Sequence, residues 1–183
     1  MATNSLDAGL TSLGVRLGFA MESSAGVKPT GNGGTGSGSP STGAWYQVLR
    51  VNSIGGVSVD PEQIDVSAIV DKLTRYKPGR GDSGGTFTIG INITNDTIEQ
   101  WRKIIGLYNN PTNRQAGLRM WWQVQHPDLE KAFFIVAAPP EVFPMPETGQ
   151  NEAWTVEINL VVDELKGLDT KATFAIVDGE AAA

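Results

Sequence analysis

The chain has 183 residues, of which 40% are apolar and 19% charged, with a formal net charge of -6, 22 glycines and no cysteine. That length favours a single domain with enough apolar residues for a core, and the missing thiols exclude disulfides, thiolate metal sites and a cysteine nucleophile. An acidic balance with only 14 lysines and arginines opposes tight binding of nucleic acid phosphates, although a surface that nucleic acid passes without sticking fits it.

Taken in order, residues 1–12 read as an N-terminal arm. They carry no basic region followed by an apolar core, so no secretory signal is expected. No stretch reaches about 18 consecutive apolar residues, so no helix is expected to cross a membrane. Residues 13–21 alternate Leu13, Val15, Leu17, Phe19 and Met21 with small or polar residues, which predicts a strand with one buried face. Residues 22–44 form a glycine-rich loop. Its GNGGTGSGSPSTG run lacks the Gly-Lys-Ser/Thr ending of a phosphate loop.

Residues 45–54 predict a second strand, apolar on both faces and so covered on both sides. Residues 60–85 mix charges, glycines and prolines and read as a long loop. Long connections in compact domains tend to be functional. The loop feeds a clean alternating strand, residues 86–94, with Phe87, Ile89, Ile91 and Ile93 inward. Asn95 or Asp96, with Glu99, is expected to cap a helix. Its stripe is Ile98, Trp101, Ile104, Ile105 and Tyr108, with Gln100 facing away, and Asn109-Asn110-Pro111 stops it. Residues 118–125 and 131–138 predict a hairpin around His126-Pro127-Asp128. A proline-rich stretch leads to a long strand at 153–163, residues 173–177 allow a last short strand, and residues 169–183 form the C-terminal tail. Six or seven strands and one helix predict a mainly β, two-sheet sandwich or barrel flanked by one α-helix, with long loops.

Residues with chemistry are few. His126 is the sole histidine and sits in a turn, so it supplies neither a metal cluster nor a triad. Asp60, Glu62, Asp65 and Asp71 lack the spacing of a calcium loop. Arg80-Gly81-Asp82 reads as a turn rather than an adhesion motif. The glycan-like Asn92-Ile93-Thr94 and Asn95-Asp96-Thr97 read as strand and helix cap. No catalytic, cofactor or metal residue is assigned, and the chain is not expected to be an enzyme.

The order of elements nevertheless resembles the major tail tube proteins of long-tailed bacteriophages with non-contractile tails. The likeness runs from Trp45 to Leu168. It is carried by WYQVLRVNSIGGVSVD, the loop IDVSAIVDKLTRYKPGRGDSGG with its Pro78-Gly79 turn, then TFTIGINI, TIEQWRKIIGLY, RMWWQVQHPDLEKAFFIVA and WTVEINLVV. It implies a subunit that forms hexameric rings stacked into a tube in the virion tail, assembled in the bacterial host cytoplasm. The implied partners are further copies of itself, a tape-measure protein, tail terminator and distal tail proteins, and double-stranded DNA in passage without specific binding. The 60–85 loop then contacts the adjacent ring, with Asp65, Asp71, Lys72, Arg75, Lys77 and Arg80 as the charged candidates. Glu157 and Asp163 are the candidates for the lumen. Two other readings stand beside this one. The first is the inner tube of a contractile tail, tailocin or secretion needle. The second is a carbohydrate-binding sandwich using Trp45, Trp121 and Trp122 as a stacking platform.

Overall fold

The structure is a computed structural model that describes residues 14–34, 39–68, 73, 75–82, 85–149 and 152–175, without the side chains of Arg80 and Asp82. In chain order the elements are β1 (Arg16–Met21), β2 (Gly31–Asn32), β3 (Ala44–Gln47), β4 (Val51–Ile54), β5 (Asp60–Asp65), β6 (Tyr76–Asp82), β7 (Thr86–Asn92), α1 (Asn95–Tyr108), α2 (Pro111–Gln115), β8 (Met120–Gln125), β9 (Lys131–Ala138) and β10 (Thr155–Thr170). An eight-stranded sheet has the order β2-β3-β1-β8-β9-β10-β7-β4, and β5 and β6 form a separate two-stranded sheet. The expected mainly β class with a flanking helix holds. The strands outnumber the expectation because one predicted strand divides into β3 and β4, the predicted loop 60–85 holds β5 and β6, and the glycine-rich loop holds β2; the short α2 carries no apolar periodicity that would have announced it.

The division falls between β3 and β4, where one continuous strand was expected. Arg50 adopts φ 53, a left-handed conformation that breaks the pleat. β3 pairs with β1, whereas β4 pairs with β7 at the other end of the sheet. From Gln47 to Val51 the chain spans at most about 14 Å, so the two ends of the sheet are drawn together and the sheet curls around its core. It does not close. At this corner Gln100 of α1 receives the Leu49 N–H at 2.9 Å and donates to the Gln47 carbonyl at 2.7 Å. Gln100 thus faces the sheet rather than solvent. Gln100→Ala is expected to cost about 2 kcal/mol by stripping two part-buried backbone groups of partners. A urea titration checks it, and Gln100→Glu, which keeps only the acceptor, should fall between.

The curled face holds the main core. Leu17, Phe19, Phe87, Ile89, Ile91, Trp122, Ile158 and Leu160 pack there around Trp101 and Ile104 of α1. The alternation read in β7 and β10 is therefore the buried face. Trp101 stacks on Trp122 with ring centroids 5.7 Å apart. The helix cap is Thr94, not Asn95 or Asp96. Thr94 Oγ1 accepts from Thr97 N at 3.2 Å, and Thr97 Oγ1 accepts from Thr94 N at 2.8 Å. Glu99 pairs instead with Lys103, one turn on, at 3.4 Å.

The opposite face of β1, β3, β8 and β9 is apolar too, as the two-faced pattern of β3 requires. Trp45, Trp121, Phe134 and Val136 are buried there under Phe174. Gly18 leaves the room: a Cβ on it would lie 2.6 Å from the Phe174 ring. The first part of the C-terminal tail is accordingly packed, through Phe174 and through Gln123 hydrogen bonds to Ala172. No strand forms at 173–175. Within the glycine-rich segment, Gly31–Asn32 runs parallel to β3, and Lys28 Nζ reaches Asp169 at 2.7 Å while lying over the Phe134 ring. That hydrogen bond and charge hold the Asp169 carboxyl below the usual Asp range.

Candidate assembly surface

Strands β4, β7 and β10 form a panel with two unlike faces. One face is the core. On the other stand Asn52 and Ser53 of β4, Thr86, Thr88 and Asn92 of β7, and Thr155, Glu157, Asn159 and Val161 of β10, nearly all exposed. The hydroxyls and amides bond among themselves: Asn52 Nδ2 donates to Asn92 Oδ1 at 2.9 Å, and Thr88 Oγ1 to Asn159 Oδ1 at 2.7 Å. Glu157 is the single charge among these side chains. A bulge in β4 sets Asn52 and Ser53 together against Gly90, where a Cβ would collide with both side chains. Gly90→Val is expected to cost about 1–3 kcal/mol by overpacking and to prise β4 from β7, read as faster amide exchange at Val51 and Ile54.

Both edges of the panel are open. β4 is the outermost strand of its sheet. β9 meets β10 only from Val161 onward, so residues 155–160 have β7 on one side and no strand on the other. The register says which groups are left over. Trp154 O accepts from Ile93 N, and Val162 N donates to Gly85 O, so even-numbered residues turn their backbone groups toward β7. Thr155, Glu157 and Asn159 therefore turn their N–H and C=O groups outward. Among the described residues nothing pairs with them. An exposed strand edge of this kind is a template for another chain.

The second feature is the β5–β6 hairpin. The segment 60–85, read as a loop, holds two antiparallel strands, β5 and β6. Every residue of β5 is exposed, so the ladder has no buried face to produce an alternating sequence. Arg80-Gly81-Asp82 lies in β6 rather than in a turn, and Pro78-Gly79 sits at a register shift in the ladder rather than at a turn. Proline is tolerated there because both strands of a hairpin are edges. Val59, Ile64, Val66, Leu73 and Tyr76 are exposed on this arm.

The sequence-derived candidates separate as follows. Asp65 ends β5, and hydrogen bonds from the Ser67 hydroxyl and from Ser67 N, the latter at 2.8 Å, hold its carboxyl below the usual range. Arg75 and Lys77 are exposed on the hairpin; Asp71 and Lys72 lie outside the described residues, as does the Arg80 side chain. Glu157 stands on the open polar face. Asp163 is exposed but engaged, accepting from Arg119 Nη1 at 3.1 Å.

Comparison with solved structures finds the same fold in a phage-derived assembly. The similar chain belongs to the baseplate of the anti-feeding prophage, in a cryo-EM structure symmetrised six-fold. The match has a TM-score of 0.52 at 7% sequence identity and covers 90% of this chain and 98% of that one. At that identity the likeness is one of fold. No protein-family model and no curated protein sequence matches the chain.

The stacking platform expected of a carbohydrate module is absent from these tryptophans. Trp45 is 0%, Trp121 5% and Trp122 0% exposed. Trp45 and Trp121 spend their indole N–H groups on the Pro29 carbonyl and the Glu22 carboxylate, Trp122 on the Ala137 carbonyl. His126 is largely buried in its turn, its Nδ1 accepting from Asp128 N at 3.1 Å. The open edges of the panel went unread in the sequence, because they depend on where β9 ends relative to β10.

Proposed function

We propose that this chain is the repeating subunit of a phage-type tail tube, forming hexameric rings that stack into a conduit for DNA. The observation that carries this is the β4–β7–β10 panel, with one face in the core, one face polar and both edges open. The free edge of β4 in one copy can pair with residues 155–160 of the next. Such a contact joins two different patches, so repetition closes a ring or builds a helix, and closure removes the exposed edges. The six-fold symmetry of the assembly that holds the similar chain supports six copies.

In such a ring the polar face lines the bore. Its side chains are hydroxyls, amides, Val161 and the lone Glu157, with no cation to hold a phosphate, so DNA slides past without counterion-release binding. A tape-measure protein would fill the bore before DNA, and terminator and distal tail proteins would cap its ends. The role is mechanical, asks for no catalytic group or cofactor, and places the chain in a virion tail. Negative-stain imaging of the purified protein tests it. Hollow rings or tubes are expected, and a persistent monomer at high concentration would remove the reading. The inner tube of a contractile tail, tailocin or secretion needle draws equal support from the prophage baseplate likeness. A sheath around the tube in micrographs of the native particle decides for it.

A further inference from the structure

We propose that residues 6–13 form a short helix that folds back on its own chain and seats Leu6, Leu10 and Leu13 on an apolar mouth at the start of β1. The seat belongs to the single chain and holds whether or not rings form.

The mouth lies where the curled sheet fails to close. One row of directly opposed residues crosses four strands there: Leu17 of β1, Val124 of β8, Phe133 of β9 and Leu168 of β10. Residues directly opposite share a face, and this is the core face, since Leu17 and Val124 belong to the main core. The core runs out along the row. Leu17 is 1% exposed, Val124 is half-buried, Phe133 is 46% and Leu168 56% exposed. Beside the row opens a cleft of about 520 Å³, lined by Val15, Val51, Ile54 and Val124 with Asn52 and Ser53. Among the described residues, neither the row nor the cleft lining holds a charged side chain. A continuous apolar surface of this kind calls for an apolar partner.

The chain itself brings one to the place. Residues 1–13 lie outside the described residues and join the body through Gly14 and Val15, and Val15 lines the cleft. Gly14 takes φ 80, the left-handed conformation that commonly follows the last turn of a helix. That turn separates Leu13 from the alternation of β1. Before it, Leu6, Leu10 and Leu13 stand at i, i+4 and i+7, one stripe of a helix. Ser5 precedes the stripe as a cap, and Asp7 falls in the first turn.

The dimensions agree. Leu6 and Leu13 are about 10 Å apart along a helix axis, and Val124 and Leu168 are separated by two interstrand steps, also about 10 Å. Leu13 then covers Val124, Leu10 covers Phe133 and Leu6 covers Leu168. So short a helix is marginal alone in water, and the apolar seat supplies what it lacks.

The chain has no cysteine, so a single Phe133→Cys reports on the seat through its rate of alkylation by iodoacetamide. In dilute solution that rate should be at least about tenfold lower in the full chain than in the chain lacking residues 2–12. Leu6→Ser with Leu10→Ser should raise it to the truncated value, whereas Ala8→Glu, on the outer side of the helix, should leave it low. Near-ultraviolet circular dichroism of the stacked Trp101–Trp122 pair is read alongside, so that unfolding is not scored as uncovering. Equal rates in the full and truncated chains would overturn the seat. Protection that appears only as the protein concentration rises would put a second copy in the mouth and overturn docking within one chain. A fast rate in the Ala8→Glu chain would overturn the helix, because an extended arm places Ala8 on the same face as Leu6 and Leu10.

Discussion

Excising residues 60–82 and bridging the gap with an Asn-Gly turn is expected to abolish polymer while leaving the body of the protein folded. The hairpin strands are exposed where described, save half-buried Gly79, so their removal uncovers little of the core. The melting temperature should move by no more than about 4 °C, the shift that about 1 kcal/mol produces in a chain of this size. Assembly should respond quite differently. A two-stranded hairpin is marginal in water without a partner surface, and ordering its backbone costs about 1–2 kcal/mol per residue. Among the described residues no apolar burial offsets that, since Ile64, Val66 and Tyr76 are exposed. Burying three such side chains in a neighbour supplies about 4 kcal/mol, so their loss should raise the critical concentration at least about a hundredfold. Light scattering and calorimetry on the same preparation separate the two effects. Polymers of unchanged stability from the excised chain would show that the hairpin is not an assembly element.

How far the sequence predicted this arrangement depends on where each signal is local. β7 was legible because Phe87, Ile89 and Ile91 alternate with polar residues over a single buried face. β9 was legible because Lys131–Ala138 follows a turn. The helix stripe was legible, but its cap was displaced: Thr94 and Thr97 satisfy each other's backbone at no visible cost in pattern, while Asp96 and Glu99 look like a better pair on paper. The division of β3 from β4 was hidden because Arg50 is an ordinary residue in a glycine-like conformation. The hairpin was hidden for the opposite reason to β7, having no buried face to write a period into the sequence. Among the site candidates, alternation alone put Glu157 and Asp163 on one face. The register shift between Val162 and Glu164 is a long-range feature that separates them, leaving Glu157 on the open face and Asp163 in an ion-pair cluster.

That cluster makes Arg119→Met the point substitution with the largest expected cost. Glu22 is fully buried, and its carboxylate accepts from Gly26 N at 3.0 Å, Arg119 N at 3.0 Å, Arg119 Nε at 3.3 Å and Trp121 Nε1 at 2.8 Å. Among the described residues Arg119 is its only cationic partner, and Arg119 Nη1 also reaches Asp163 and Glu164, each at 3.1 Å. Burial works against the guanidinium's charge, but the Asp163 and Glu164 hydrogen bonds and the Glu22 charge outweigh it and raise its pKa. Glu164 in turn sits below the usual carboxylate range, chiefly through its hydrogen bond from Lys166. Methionine keeps the stem of the arginine and removes the charge, leaving a carboxylate inside the protein without a counter-ion. Breaking a buried pair from one side costs about 3–5 kcal/mol. The guanidinium is partly solvated, so about 3 kcal/mol is expected, or a fall in melting temperature of about 6–12 °C. Glu22→Gln alone should cost about 1–3 kcal/mol, because the amide keeps one accepting oxygen but turns its NH2 toward two of the donors. Adding it to Arg119→Met removes the stranded charge, so the double variant should recover at least about 1 kcal/mol relative to the single arginine variant. Strict additivity of the two changes would show that the pair is not coupled. The damage should stay local to residues 22–28, read by amide exchange at Gly26, because the main core lies on the other face of the sheet.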